Sequence, residues 1–142
     1  MPNIWFTADT HFGHGRIIQY CGRPFSDYQT QDAAIIERFN SVIHKGDVLY
    51  HLGDVSWSTF DKRKGFLDRL NTKEVHLIWG NHDKEKDFKG LPFRSTHHLR
   101  SITIDSQQVV LCHYPMRSWS GKSHGAFQLY GHVHGRMLGI GR

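Results

Sequence analysis

The 142-residue sequence predicts an α/β protein, because its first half alternates between strand-like and helix-like segments. Short apolar runs at 3–9, 47–52 and 74–79 predict buried strands, and helical periodicity appears in the segments between them. This order favours parallel strands joined by helical crossovers. The second half contains further strands and a hairpin, so the sheet is expected to be mixed or doubled.

Two helices are predicted between the first three strands. Residues 28–43 carry apolar side chains at helical spacing. The second helix is expected to extend to about Leu70, and Ser58 and Asp61 near its start have the spacing of a capping box. Residues 84–96 are polar, contain glycine and proline, and are predicted to form a loop.

The second half of the chain contributes a hairpin and one more strand. Segments 100–105 and 107–113 have the pattern of polar and apolar residues typical of strands. They are predicted to form the two arms of a hairpin that turns at Ser106. Residues 115–125 have the composition of a loop, and residues 126–132 are predicted to form the last strand.

Composition is that of a globular protein, with 38% hydrophobic and 22% charged residues, and residues 1–142 are predicted to form a single domain. No apolar run approaches the roughly 20 residues of a membrane span, and no secretory signal is expected. Two cysteines imply no disulfide framework, so a reducing cytoplasm is the expected compartment. The formal charge of +5 favours an anionic partner, although a lysine-rich surface explains it equally well.

Side chains able to bind metal follow the strands at the point where each strand ends. Because sites in α/β sheets form outside the carboxyl ends of the strands, these groups are expected to share a pocket. The chain has 12 histidines, and histidine is both the commonest metal ligand and the usual acid or base near neutral pH. The motifs are D-T-H at 9–11, G-D at 53–54, G-N-H-D at 80–83, His113 and G-H-V-H at 131–134.

Spacing within these motifs supports convergence on one point. In an extended chain, residues i and i+2 point to the same side, so Asp9 and His11 are expected to face one point together, as are His132 and His134. A glycine before a ligand permits close backbone approach, and these glycines are Gly53, Gly80 and Gly131. Each motif alone is a weak signal, since caps and surface histidines explain many such pairs, but the ordered set is specific.

The ordered set resembles the calcineurin-like metallophosphoesterases. The runs F-T-A-D-T-H-F-G-H and H-L-G-D-V are similar to small phage and bacterial members, and the resemblance spans residues 4–136. It implies an α/β/β/α sandwich of two mixed β-sheets flanked by helices. A dinuclear metal site is then expected at the carboxyl ends of the strands.

The resemblance also implies a role for each polar residue of the motifs. His82 is expected to be the catalytic histidine beside the leaving group, and Asp83 is expected to orient it. Arg16 and Arg136 are candidates for contact with the substrate phosphate, although a solvated arginine fits their positions equally well. The implied ligands are Asp9, His11 and His134 for one metal, Asn81, His113 and His132 for the other, and Asp54 as the bridge between them.

This donor set of imidazoles, carboxylates and one amide oxygen favours two divalent ions of the manganese, zinc, iron or nickel type over calcium, with Mn²⁺ the favoured activator. Two such ions add about +4 to a pocket whose two carboxylates hold about −2, which suits a phosphodiester anion. The predicted reaction is hydrolysis of phosphodiester bonds in small or nucleotide substrates by in-line attack of a metal-bridging hydroxide.

Two alternatives stay open for the function: a nuclease acting on DNA or RNA, and a catalytically silent binding scaffold of the same fold. A phosphoprotein phosphatase is not expected, because the second motif reads G-D-V-S-W and lacks the run typical of those enzymes. The chain stops soon after the last histidine pair, where relatives usually continue into further strand. Two explanations are open: this protein caps its sheet differently, or the sequence is a truncated form. An edge strand left unpaired is a place where a second copy of the chain could bind, as a homodimer.

Overall fold

The computed structural model describes residues 1–137, in which two β-sheets stack face to face and helices pack on the outer face of the first. The first sheet has four strands in the order β1-β2-β3-β4, and each neighbouring pair runs parallel. Its strands are β1 (Ile4–Thr7), β2 (Val48–His51), β3 (Glu74–Ile78) and β4 (Ser95–His97). The predicted α/β class is confirmed, and β4 is an additional strand that begins at the end of the predicted loop at 84–96.

Four helices accompany this sheet: α1 (Gly15–Cys21), α2 (Tyr28–Val42), α3 (Phe60–Arg69) and α4 (Glu85–Phe88). The two predicted helices correspond to α2 and α3, but the N-cap of α3 is Thr59 rather than Ser58. The Thr59 hydroxyl accepts a hydrogen bond from the backbone N–H of Lys62, which shifts the start of the helix by one residue. Helices α1 and α4 are too short to show a periodicity that sequence reasoning could detect.

The second sheet has the order β5-β6-β7 and mixes both strand directions. Strands β5 (Leu99–Ile104) and β6 (Gln107–Cys112) form the predicted antiparallel hairpin, and β7 (Phe127–Leu129) pairs parallel to β6. The turn residues Asp105 and Ser106 both have positive φ, of 46° and 69°, as a two-residue hairpin turn requires. Only this second sheet is mixed as predicted, because the helical crossovers make the first one parallel.

Two hydrophobic cores lie on opposite faces of the first sheet. Leu49 and Leu77 point toward the helices and join a core with Ile36 and Leu67, whereas Tyr50 and Ile78 point toward the second sheet. Leu49, Leu77 and Ile78 are at most 1% exposed. Burial on both faces explains why these strands read as continuous apolar runs in the sequence.

The outer face of the second sheet is covered by the loop at 115–126 instead of a long helix. Gly121 lies against the side chain of Gln108, and the backbone N–H of Met116 donates to the Gln128 side chain at 2.9 Å. Within residues 1–137 the predicted fourth, helical layer is thus a loop with one 3₁₀ turn, Lys122–His124. Gly121 and Gly125 have positive φ, which a continuous helix would not accommodate.

No helix among residues 1–137 is both long enough and apolar enough to cross a membrane. The C-terminal truncation stays a prediction, and residues 138–142 lie outside the described part of the chain. The single-domain organisation and the homodimer stay predictions.

Asp47 ties the start of β2 to β1 and to the end of α2. Its carboxylate accepts hydrogen bonds from the backbone N–H groups of His44 and Asn3, both at 2.9 Å, and from the indole N–H of Trp5 at 3.0 Å. These hydrogen bonds lower the pKa of Asp47 to about 2. The charged form of this carboxylate therefore holds β1 and β2 in register.

We expect Asp47→Ala to lower the thermal unfolding midpoint by several degrees at pH 7. Because the folded pKa of about 2 lies below the ordinary 3.8, the stability from Asp47 is fully present above about pH 4 and is lost as the pH falls toward 2. Calorimetry across this range should show the gap between wild type and variant closing in acid. A gap that stays constant with pH would contradict this role.

Candidate metal centre

All five motifs meet at the carboxyl ends of β1, β2, β3, β6 and β7. Backbone hydrogen bonds join the loops that carry them: Asp9 N–H donates to the Gly53 carbonyl at 2.9 Å, and His11 N–H donates to the Asp54 carbonyl at 3.0 Å. Gly131 N–H likewise donates to the His113 carbonyl at 2.9 Å. The strand ends therefore form one continuous site, as the sequence predicts.

The potential ligands form two clusters that touch. In each cluster the ligand atoms lie within 4.8 Å of one another. The carboxylate of Asp54 lies between the clusters, with Oδ2 at 3.6 Å from His11 Nε2 and 3.4 Å from His113 Nε2. This position suits a bridging ligand. The clusters are Asp9, His11 and His134, and Asp54, His113 and His132.

Asn81 completes the second cluster. Its side-chain oxygen lies 3.1 Å from His113 Nε2 and 3.0 Å from His132 Nδ1. The other ring nitrogen of His113 lies 2.7 Å from the Leu52 carbonyl oxygen. Since a carbonyl only accepts, Nδ1 of His113 carries the proton and Nε2 presents a lone pair to the site.

The ligand side chains are aimed by left-handed backbone. Seven non-glycine residues among 1–137 have positive φ, and five of them are predicted ligands. Turns therefore aim Asp9 and His11 into one cluster but His132 and His134 into different clusters, which corrects the expectation that each pair shares a side of an extended chain. Such conformations cost about 1–3 kcal/mol each and persist where surrounding structure holds them. The five ligands are Asp9 (54°), His11 (49°), Asp54 (57°), His132 (70°) and His134 (48°).

Three glycines permit the close approach of these turns, as predicted. A Cβ on Gly80 would collide with the Asp54 carboxylate, and one on Gly131 would lie 2.6 Å from Asp9 Oδ2. A Cβ on Gly53 would lie 2.7 Å from His113 Nδ1. Any side chain at these positions would displace a ligand.

The chemistry of the site fits divalent metal ions. His11 is 2% exposed, yet its Nε2 has no hydrogen-bond partner, and a buried polar atom of this kind calls for one. Burial lowers the pKa of His11 to about 3, so the ring is neutral and able to donate its lone pair. Burial raises the pKa of Asp54, but the adjacent imidazole of His113 and the hydrogen bond from the His82 backbone N–H outweigh it and hold the pKa at about 2. A neutral imidazole beside a charged carboxylate is a typical metal-binding arrangement.

His82 and Asp83 have different surroundings from those predicted. The backbone N–H of His82 donates to Asp54 Oδ1 at 2.9 Å, and its ring lies at the mouth of the site, 5.3 Å from the His11 ring. Asp83 is buried, and its carboxylate accepts hydrogen bonds from backbone N–H groups rather than from the His82 ring. The donors are Asp54 at 2.7 Å, Gly80 at 2.9 Å and Val55 at 3.0 Å.

The prediction that Asp83 orients His82 is therefore wrong in its mechanism. Successive side chains in the turn point in different directions, and the Asp83 carboxylate faces buried backbone donors. It joins the loop after β3 to the loop after β2 and so positions the bridging carboxylate of Asp54.

The two arginines proposed for phosphate contact lie at the rim. Arg16 is exposed at the start of α1 and lines a cleft beside His14 and His82. Arg136 is exposed and donates a hydrogen bond to the backbone carbonyl of Tyr20. Their contact with substrate stays a prediction.

Sequence reasoning missed Arg23, which binds the backbone of the first motif through its guanidinium. Its guanidinium donates to the backbone carbonyls of Asp9 at 2.6 Å and Thr10 at 3.2 Å, and to the Gln31 side chain at 3.0 Å. These bonds hold the left-handed turn that aims Asp9 and His11. Arg23 lies 14 residues from Asp9 in a segment without a recognisable motif, so the sequence offered no signal for it.

The chain belongs to the calcineurin-like phosphoesterase superfamily, whose domain profile matches residues 3–138. This membership confirms the resemblance seen in the motifs. It supports a general phosphoesterase activity, which is a hydrolase reaction. The paired clusters of potential ligands agree with the divalent metals typical of the superfamily.

Individual relatives extend this comparison. An uncharacterised protein of Methanocaldococcus jannaschii is 34% identical over 142 residues, covering 97% of this chain and 73% of its own. The gene 66 protein of Mycobacterium phage D29 is 26% identical over 167 residues, covering 97% of this chain and 81% of its own. The crystal structure of a protein of unknown function from Aquifex aeolicus is similar with a TM-score of 0.79 and 26% identity, covering 99% of this chain and 83% of the other.

We expect Asp83→Ala to lower thermal stability and metal content together. The substitution leaves three buried backbone N–H groups without their acceptor, and each such loss costs about 1–3 kcal/mol. Denaturant unfolding and metal analysis of the purified variant measure both effects. Asp68→Ala, which removes an exposed ion pair with Lys64, is the matched control and should change neither. Wild-type stability and metal content in Asp83→Ala would contradict the assigned role.

Proposed function

We propose that the protein is a dinuclear metal-dependent phosphodiesterase that acts on small or nucleotide phosphodiesters. The observation that carries this proposal is the position of Asp54 Oδ2, within 3.6 Å of an imidazole nitrogen from each of the two ligand clusters. A carboxylate shared between two metal sites is the arrangement that a two-ion hydrolase needs.

One ion would be held by Asp9, His11 and His134, the other by Asn81, His113 and His132, with Asp54 contacting both. Mn²⁺ is the favoured ion, and zinc, iron or nickel would suit the same donors. When bound, such ions supply Lewis acidity and lower the pKa of coordinated water. The chain contributes their placement, because backbone turns, Arg23 and Asp83 fix the ligands before any ion arrives.

His82 is the residue placed to protonate the leaving oxygen. Its backbone is anchored on Asp54 Oδ1 at 2.9 Å, and its ring lies edge-on to Trp57, with 5.4 Å between ring centroids. The ring is only partly buried and borders the clefts where substrate would enter. Packing against Trp57 and His14, rather than a carboxylate, holds its orientation.

Charge balance favours a diester over a monoester. Asp9 and Asp54 contribute a charge of about −2, and two divalent ions contribute about +4. The resulting net charge of about +2 is balanced by one singly charged nucleophile and one singly charged substrate. A monoester dianion would need a further cation at the site. Arg136 already donates to the Tyr20 carbonyl, and Arg16 lies exposed at the rim.

The sequence left two alternative functions open, a silent binding scaffold and a nuclease, and the site and the charge of the chain help to compare them with a phosphodiesterase. All seven predicted ligands converge, which favours an enzyme over a silent scaffold. The formal charge of +5 keeps a nuclease as the second candidate. Digestion of single- and double-stranded DNA and RNA under the conditions of the diester assay distinguishes the two enzymes.

We expect purified protein to hydrolyse bis-p-nitrophenyl phosphate faster than p-nitrophenyl phosphate. Release of p-nitrophenolate is measured after metal removal and readdition of Mn²⁺, Ni²⁺ or Zn²⁺, with EDTA as the control. Chelation should abolish turnover, because the buried ligands have no other means of activating water. A preference for the monoester would overturn the assignment as a diesterase, and no turnover with any ion would favour the scaffold.

We expect His82→Ala to lower kcat by about 10²- to 10⁴-fold, the usual contribution of a positioned general acid. The metal content of the variant should equal that of the wild type, because only the backbone of His82 contacts a ligand. His124→Ala, at an exposed position on the distant 3₁₀ turn, is the control and should leave both quantities unchanged. If His82→Ala loses as much metal as His11→Ala, then His82 is a ligand.

A further inference from the structure

A cleft of about 620 Å³ opens beside His82 at the mouth of the metal centre. Three aromatic side chains line it, together with His14 and Arg16; the three are Trp57, Tyr20 and Tyr28. This volume lies within the range of about 300–1,000 Å³ typical of small-molecule sites. The cleft is therefore large enough for a planar organic group attached to a phosphate at the metals.

Trp57 gives this cleft a fixed aromatic surface. Its side chain is 55% exposed and belongs to neither hydrophobic core, so packing within the fold does not account for it. Its backbone is anchored, because the N–H donates to the Phe12 carbonyl at 2.8 Å. The indole stacks on His14, with 5.3 Å between centroids and 24° between planes. An anchored indole that remains open to solvent is suited to stacking with a ligand ring.

Trp57 is also adjacent to the residue assigned to the chemistry. Its ring centroid lies 5.4 Å from that of His82, at an angle of 65°. A ring stacked on Trp57 would therefore lie within a few bonds of a phosphoryl group at the metals. A nucleobase is planar and is joined through its sugar to a phosphate, so a nucleotide can place a ring on Trp57 and a phosphate beside His82.

We infer that the cleft binds the nucleobase of a nucleotide phosphodiester, with Trp57 as the stacking surface. This inference rests on the proposed phosphodiesterase function and assigns its substrate class. Stacking of one base on an aromatic side chain changes affinity by about 5- to 150-fold and tolerates any base, since every base has a π-face. Discrimination between bases is not expected from Trp57 itself.

A second cleft shares Trp57 and His82 but has a different character. Its volume is about 380 Å³, and its lining includes Arg63, Lys84 and Asp87 together with hydroxyl side chains. Charged and hydroxyl groups of this kind suit sugar or phosphate groups better than a base. The aromatic cleft is thus the one that fits the base.

Fluorescence tests binding of the base without relying on turnover. The Mn²⁺-loaded protein is titrated with adenosine 5′-monophosphate and, separately, with ribose 5-phosphate, which carries the same phosphate and sugar without the base. We expect saturable quenching of tryptophan emission by the nucleotide only, and loss of this quenching in Trp57→Leu. Trp119→Phe, on the far loop over the second sheet, is the control and should retain it. Equal responses to the two phosphates would overturn the inference.

Kinetics test the same contact in the reaction. Thymidine 5′-monophosphate p-nitrophenyl ester and methyl p-nitrophenyl phosphate share a leaving group, but only the first carries a sugar and a base. We expect Trp57→Leu to lower the ratio of their kcat/KM values by about 5- to 150-fold, Trp57→Phe to keep part of the ratio, and Trp119→Phe to keep all of it. An unchanged ratio in Trp57→Leu would overturn the inference.

The two proposals fail in different ways. If neither ester is hydrolysed but the nucleotide still quenches Trp57, the phosphodiesterase function is wrong and the base-binding cleft stands. If both esters are hydrolysed and Trp57→Leu has the same ratio of kcat/KM values as the wild type, the phosphodiesterase function stands and the cleft does not bind the base.

Discussion

The structure depends on one constraint: ligands from five strand ends must converge within a few ångströms before any cation is there to hold them. Asp83 meets this constraint for the bridging carboxylate, because its two oxygens accept from three backbone N–H groups on two loops. Arg23 does the same for the first loop through two carbonyls. Left-handed backbone at five ligand positions persists because these hydrogen bonds and the parallel sheet beneath outweigh its cost.

Holding the ligands in place before any ion binds lowers the stability of the metal-free protein. Buried His11 with an unpartnered nitrogen and half-buried Asp9, whose pKa is raised by burial, both reduce the stability of the metal-free fold. Ions that bind the folded state but not the unfolded chain return this stability by mass action. Folding and metal loading are therefore linked, and the large apolar cores on both faces of the first sheet allow the chain to tolerate an unfavourable site.

Much of this arrangement is encoded locally and could be predicted from sequence. The apolar runs identify β1 to β3, and the polar residues after them identify the site, because strand ends of an α/β sheet coincide. The glycines before the ligands were predictable for the same reason, since only they allow contacts such as that of Gly80 with Asp54. The expectation that failed concerned backbone geometry at the ligands. Asp and His adopt positive φ more often than most residues, but the conformation is uncommon even for them, and tertiary contacts impose it at Asp9 and His11. The partners of Asp83 and Arg23 are likewise set by packing between distant segments.

The site joins the two ends of the chain, since the backbone N–H of His132 donates to the carboxylate of Asp9, 123 residues away. During translation, Asp9 and His11 leave the ribosome long before His132 and His134 are synthesised, so neither ion site can be completed on a partial chain. Synthesis order thereby delays completion of either ligand cluster until the segment that carries His132 and His134 has been made.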